Sequence, residues 1–159
     1  MKFSRNDDGL SHINIYSKGM TELGRLLSNF ANTPVNTPQD GKFTSIEGYW
    51  YWLLGKNDNR EVLRTLHGFE AKQRGRDIVG EDWPSVNDEF FKFKVYQALI
   101  CKTIQTKGLE QKLIESSLPF THYYVYNGKV VNVDDGGWLV EAWEQIRKDV
   151  KARAKLFGG

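Results

Sequence analysis

The amino-acid sequence predicts an α+β fold: a single compact, mainly helical domain with a small sheet that includes a C-terminal β-hairpin. Three observations carry this reading. Apolar residues recur at helical spacing in several segments, the strand-like runs are short and do not alternate regularly with those helices, and one Asn-Gly pair stands between two strand-like runs. A doubly wound parallel sheet needs regular alternation and is excluded.

The elements follow in order. His12 to Tyr16 alternates, with Ile13 and Ile15 on one side, as a half-buried first strand does. Residues 28–42 are rich in Asn, Pro, Asp and Gly and read as a loop with room for a short strand. Ser45 is placed to cap a helix from Ile46 to Leu54, and Gly55 to end it. Ser85 with Asp88 resembles a capping box opening a longer helix whose buried stripe is Phe91, Val95, Ala98 and Leu99. Leu109, Leu113 and Ile114 mark a further helix. The runs 121–126 and 129–133 flank Asn127-Gly128, which supplies both positive-φ positions of a type I′ turn, so a hairpin is expected there. From Trp138 the spacing of Leu139, Ala142, Trp143, Ile146 and Val150 predicts a closing amphipathic helix, with Arg147, Lys148, Lys151, Arg153 and Lys155 on its outer, late turns.

A chain of 159 residues is long enough for one disulfide-free core, so one domain spanning 1–159 is expected, with 1–11 as a flexible lead-in. The net charge of +2 gives no field that would require nucleic acid as a partner, while aromatics at 13% suggest stacking surfaces or aromatic core filling. The lone Cys101 can form no internal disulfide, and neither a membrane-length apolar run nor a signal-peptide segment is present. A cytoplasmic monomer, with no membrane partner, is the expectation.

There is no phosphate-binding P-loop, no dinucleotide Gly-x-Gly-x-x-Gly, no Gly-x-Ser-x-Gly elbow and no zinc-spaced His/Cys set, so neither a metal nor a cofactor is expected. His12, His67 and His122 are scattered, and Cys101 beside an apolar helical stripe reads as a small hydrophobe.

Four segments taken together do point somewhere. They are Ile15-Tyr16 through Ser28-Asn29-Phe30; Ser45-Ile46-Glu47-Gly48 with the aromatics Tyr49 to Trp52; Ala71 to Arg76 followed by Asp82-Trp83; and Gln97 to Lys102 with Leu109 to Leu113. In order and spacing they resemble the NADAR family over most of the chain. The stretch Lys18 to Arg25 looks like phage-type members, for which the location would be a host cytoplasm. The chain departs from the family before its last helix: the usual Trp-Gly-x-Gly is replaced by Tyr126-Asn127-Gly128-Lys129, and Asp134 and Asp135 are the nearest acids.

The resemblance implies hydrolysis of an N-glycosidic bond. Its preferred form is removal of ADP-ribose from guanine in DNA or RNA, reversing ADP-ribosylation as counter-defence or repair; the alternatives are cleavage of a ribosylated pyrimidine metabolite, or ADP-ribose binding without turnover.

The residues themselves can be matched to that chemistry. Breaking a C1″–N bond builds positive charge on the ribose, which a nearby carboxylate stabilises. Glu47 is the candidate, with a helix N-terminus favouring its ionised form; the alternative is a glutamate that only caps. Lys18, near Arg25 in sequence, could instead trap C1″ as a Schiff base, or be a solvated loop lysine. Ser28, Asn29 and Phe30 could line the ribose and stack on a base. Tyr49 and Trp52, three apart, could border a pocket while Trp50 packs inward with Leu53 and Leu54. Lys72, Arg74 and Arg76 around Gly75 suit a pyrophosphate if the segment is a flexible loop, with Arg76 the leading choice, and Trp83 could stack on a purine.

Overall fold

The computed structural model describes residues 3–81, 84–133 and 137–158. Along the chain run β1 (Ile13–Asn14), α1 (Glu22–Leu27), β2 (Val35–Thr37), β3 (Gly41–Phe43), α2 (Ile46–Leu54) and α3 (Gly68–Val79). They are followed by α4 (Glu89–Gln105), α5 (Leu109–Glu115), β4 (Phe120–Thr121), β5 (Tyr123–Tyr126), β6 (Lys129–Asn132) and α6 (Trp138–Phe157). Two 3-10 segments cover Arg5–Asp7 and Asp58–Thr65. The strands pair two by two, β1 with β4 in parallel, β2 with β3 and β5 with β6 antiparallel. This is the mainly helical α+β class the sequence predicts. The chain divides into two compact units, residues 1–28 with 107–159, and residues 29–106.

In the first unit β1 is shorter than its alternation suggests, and it is buried on both faces: His12, Ile13, Asn14 and Ile15 are all shielded from solvent. A polar residue can occupy such a place only if its hydrogen bonds are met. Asn14 meets them by donating Nδ2–H to the Tyr123 carbonyl at 2.9 Å and accepting the Tyr123 N–H on Oδ1 at 2.9 Å. Asp8, also buried, accepts the backbone N–H groups of Asn14 (2.9 Å) and Met20 (2.8 Å). Replacing Asp8 by Ala orphans both donors, so a loss of roughly 2–4 kcal/mol in urea unfolding is expected.

Leu109 and Leu113 of α5 are buried, as are Leu139, Ala142, Trp143, Ile146 and Val150 of α6, the residues whose helical spacing marked them. Arg147 corrects the sequence reading: it belongs to the buried face, where its guanidinium lies 3.9 Å from the Phe120 ring centroid and donates to the Leu118 carbonyl and to Glu144, each at 2.8 Å. The hairpin turns at Asn127 (φ 49°) and Gly128 (φ 77°), as the sequence requires of a type I′ turn.

In the second unit β2 and β3 form a small hairpin inside the polar stretch. α2 begins where expected, Ser45 Oγ accepting the Gly48 N–H at 3.0 Å and donating to the Leu66 carbonyl at 2.8 Å. The longer helix α4 starts later than Ser85: Asp88 is its N-cap, accepting from Phe91 N at 3.0 Å, while Ser85 accepts from Asn87 N in the preceding turn. Its stripe of Phe91, Val95, Ala98 and Leu99 is buried. Among the described residues no helix is long and apolar enough to cross a membrane.

Candidate functional site

Glu47 occupies the first turn of α2, half-buried, with its backbone N–H donating to the Asn29 carbonyl at 2.9 Å. Asn29 and Phe30 are thereby tied to the start of α2. Phe30 is tied in turn to the next helix, its carbonyl accepting the Gly68 N–H at 3.0 Å where α3 begins. Lys72, one turn further, holds its ammonium 5.9 Å from the Phe30 ring centroid. One small region of the second unit thus gathers Asn29, Phe30, Glu47, Lys72 and Arg76.

The charge balance there departs from expectation. The helix terminus was to keep Glu47 ionised, but burial dominates and pushes its carboxyl up to about 7, with the positive charges of Lys72 and Arg76 pulling in the opposite direction. Glu47 therefore titrates near neutrality. A carboxyl so placed can exist as acid or base at working pH, which suits a group in proton transfer.

Three expectations about neighbouring residues change with the fold. The segment around Gly75 is not a flexible loop but the middle of α3. Lys72 and Arg76 are four apart on that helix and share a face, whereas Arg74 points elsewhere; Arg74 and Arg76 are both exposed and Lys72 is half-buried. Gly75 is buried and faces α2: a Cβ there would sit 2.2 Å from Tyr51 Cγ, so glycine serves helix packing and not backbone approach to a phosphate.

Tyr49 and Trp52 turn inward, as Trp50 and Tyr51 do, all four being buried. Tyr49 and Trp52 pack around Phe43 with ring centroids 4.6 and 5.4 Å away, and the Tyr49 hydroxyl donates to Asp40 at 2.6 Å. Burial and the adjoining Asp40 carboxylate hold that phenol well above the ordinary tyrosine range. Arg60 covers the outer face of Trp52 at 3.7 Å from its centroid. These contacts account for both rings as core, in place of the expected pocket border.

Ser28 is buried at the end of α1 in the first unit. Lys18 is exposed in that same unit and lines a cleft of about 380 Å³ with Arg5, Asp8, Asn14, Tyr16 and Tyr123. Trp83 with Asp82, and the acids Asp134 and Asp135, lie outside the described residues. Cys101 is half-buried with its thiol pushed up by burial, in keeping with an unreactive side chain. Burial lowers His122 to about 4, leaving it neutral at pH 7. Among the described residues no group of three His, Cys, Asp or Glu is arranged to hold a metal ion.

Two buried lysines were given no site role by the sequence, although Lys102 ends one of the four resembling segments. Lys94 donates to Gln39 Oε1 at 2.5 Å and pairs with Asp40 at 3.3 Å, while Lys102 is fully buried and lowered by burial to about 7. Their positions, three and eleven residues after Phe91, put both on the apolar face of α4, which a helical projection of the sequence would have shown.

The fold defines a class: a small, mainly helical α+β protein whose strands pair two by two. A solved structure has the same fold. The chain is similar to the E. coli protein YbiA, determined by NMR, with a TM-score of 0.68 and 19% identity over 99% of this chain and 98% of the other. No protein-family model matches the sequence, and no curated protein matches it.

Proposed function

We propose that the protein is a NADAR-type N-glycosidase that removes ADP-ribose from a guanine base in nucleic acid, with Glu47 as its central carboxylate. The single observation behind this reading is the placement of Glu47: half-buried at the start of α2, adjusted to about 7, and under the charges of Lys72 and Arg76. The similarity of fold to YbiA and the ordered segments of the sequence support it.

In the proposed reaction the C1″–N bond breaks, its electron pair leaves with the guanine nitrogen, and that nitrogen takes up a proton from solvent. Ionised Glu47 stabilises the cationic ribose and accepts the proton of the water whose oxygen joins C1″. Lys72 and Arg76 hold the pyrophosphate, Arg76 as a planar fork and Lys72 as a point charge. Phe30 offers its ring to a base, and Asn29 fixes the turn that carries it.

A panel of ADP-ribosylated guanine, arginine and thymidine substrates tests the assignment. Guanine is expected to be released and the others left intact; calorimetric binding of ADP-ribose with every substrate recovered unchanged would instead indicate a binding module. The pH dependence adds a sharper check. Because ionised Glu47 is the active form, kcat/KM should rise through about pH 7 and then level off. Lys72→Met removes a charge that favours the carboxylate, so the limb should move to higher pH. A limb that stays in place would separate Lys72 from Glu47.

A further inference from the structure

The helix α4 is apolar on two faces. Its inner face holds Phe91, Val95, Ala98 and Leu99, yet Phe90, Phe93, Ile100 and Ile104 are 67%, 57%, 37% and 60% exposed on the other side. A helix that is hydrophobic all round belongs inside a structure, and a contiguous exposed patch of this kind marks an interaction surface.

The spacing says what covers it. Phe90, Phe93, Gln97, Ile100 and Ile104 are separated by three, four, three and four residues, which is the a/d seam of two helices packed knobs into holes. The seam reads almost the same in both directions: two apolar residues, a glutamine, two apolar residues. A two-fold axis through Gln97 sets Phe90 against Ile104 and Phe93 against Ile100 of another copy, with the two Gln97 amides facing each other as donor and acceptor. A self-complementary patch is what a closed dimer requires.

Charge selects the direction. In a parallel pair Asp88 and Glu89 of both copies would meet at one end. In an antiparallel pair these acids lie at opposite ends of the seam and the helix dipoles oppose. The size is also adequate: taking about 200 Å² for a fully exposed side chain of this class, the four residues offer roughly 450 Å² per copy, so the pair hides about 1,000 Å² with its rim, near the lower bound of a specific interface.

We infer that the protein forms a homodimer through antiparallel pairing of α4 across Gln97, in place of the monomer the sequence suggested. Sedimentation velocity of the full chain over about 1 to 200 µM tests this. The wild type should pass from monomer to dimer within that range. Phe93→Glu and Ile100→Glu, both on exposed positions, should keep the wild type's circular dichroism and, at concentrations where the wild type is a monomer, its melting temperature, while weakening association at least about a hundredfold. Orientation is read by oxidative cross-linking in a Cys101→Ser background: Phe90→Cys should link to Ile104→Cys when the two variants are mixed, and neither should link to itself. A wild type that stays monomeric at the highest concentration, or a dimer that both glutamates leave intact, would overturn the inference, as would self-linking of Phe90→Cys.

Discussion

At pH 8, Glu47→Gln is expected to melt several degrees above the wild type and to have lost ADP-ribose release by about a thousandfold. The two effects share one cause. Burial raises the Glu47 carboxyl from 4.5 to about 7, so the folded state holds a proton that the unfolded chain has already released between those values. Stability from this group is therefore greatest below pH 4.5, falls as pH rises, and is at its lowest above 7, by up to about 3 kcal/mol. Glutamine cannot ionise and does not carry that cost. For a chain of this size each kcal/mol moves the midpoint by about 2–4 °C. Near pH 4, where the carboxyl is protonated in both states, the two proteins should melt together. Equal melting temperatures at both pH values would show that Glu47 is solvated and would remove the physical basis for its assigned role.

Gly75→Ala has the second large effect, and it is purely structural. The new methyl would lie 2.2 Å from Tyr51 Cγ and 2.5 Å from its Cβ and Cδ2, atoms that are themselves buried and close to their backbone. Overpacking of this kind costs about 2–3 kcal/mol, even though alanine is the better helix former by about 1 kcal/mol. The expected result is a midpoint lower by about 5–10 °C with the urea dependence unchanged. A variant that melts with the wild type would mean that the two helices do not approach so closely.

Gly75 also shows where sequence reading succeeds and where it stops. Its neighbours suggested a phosphate loop because Lys, Arg and Gly are found there, but the same residues make an amphipathic helix once Ala71 and Gly75 are recognised as a small-residue face against α2. That recognition needs a partner helix, which lies more than twenty residues earlier in the chain. The local signals, by contrast, were legible: Ser45 as a cap, Gly55 as an end, Asn127-Gly128 as a turn, and the apolar stripe of the last helix. Each depends on contacts within a few residues.

The same division applies to the site. Glu47 at a helix start was readable, but its titration near neutrality was not, because burial and two cations from a different helix act on it in opposite directions. Tyr49 and Trp52 were read as a pocket border from their spacing alone; Phe43, Asp40 and Arg60, all distant in sequence by several residues, turn them into core. Arg147 was taken as part of a basic outer face because nothing nearby in sequence reveals the Leu118 carbonyl and Phe120 ring that receive it.

The central claim rests on Glu47 as the carboxylate that drives loss of ADP-ribose from guanine. The direct measurement is incubation of an oligonucleotide carrying one ADP-ribosylated guanine with wild type, Glu47→Asp and Glu47→Gln, followed by mass analysis of both products. The wild type should give free ADP-ribose and an unmodified strand, Glu47→Asp a slower version of the same reaction, and Glu47→Gln an intact substrate. Intact substrate with the wild type, or equal release by Glu47→Gln, would contradict the account.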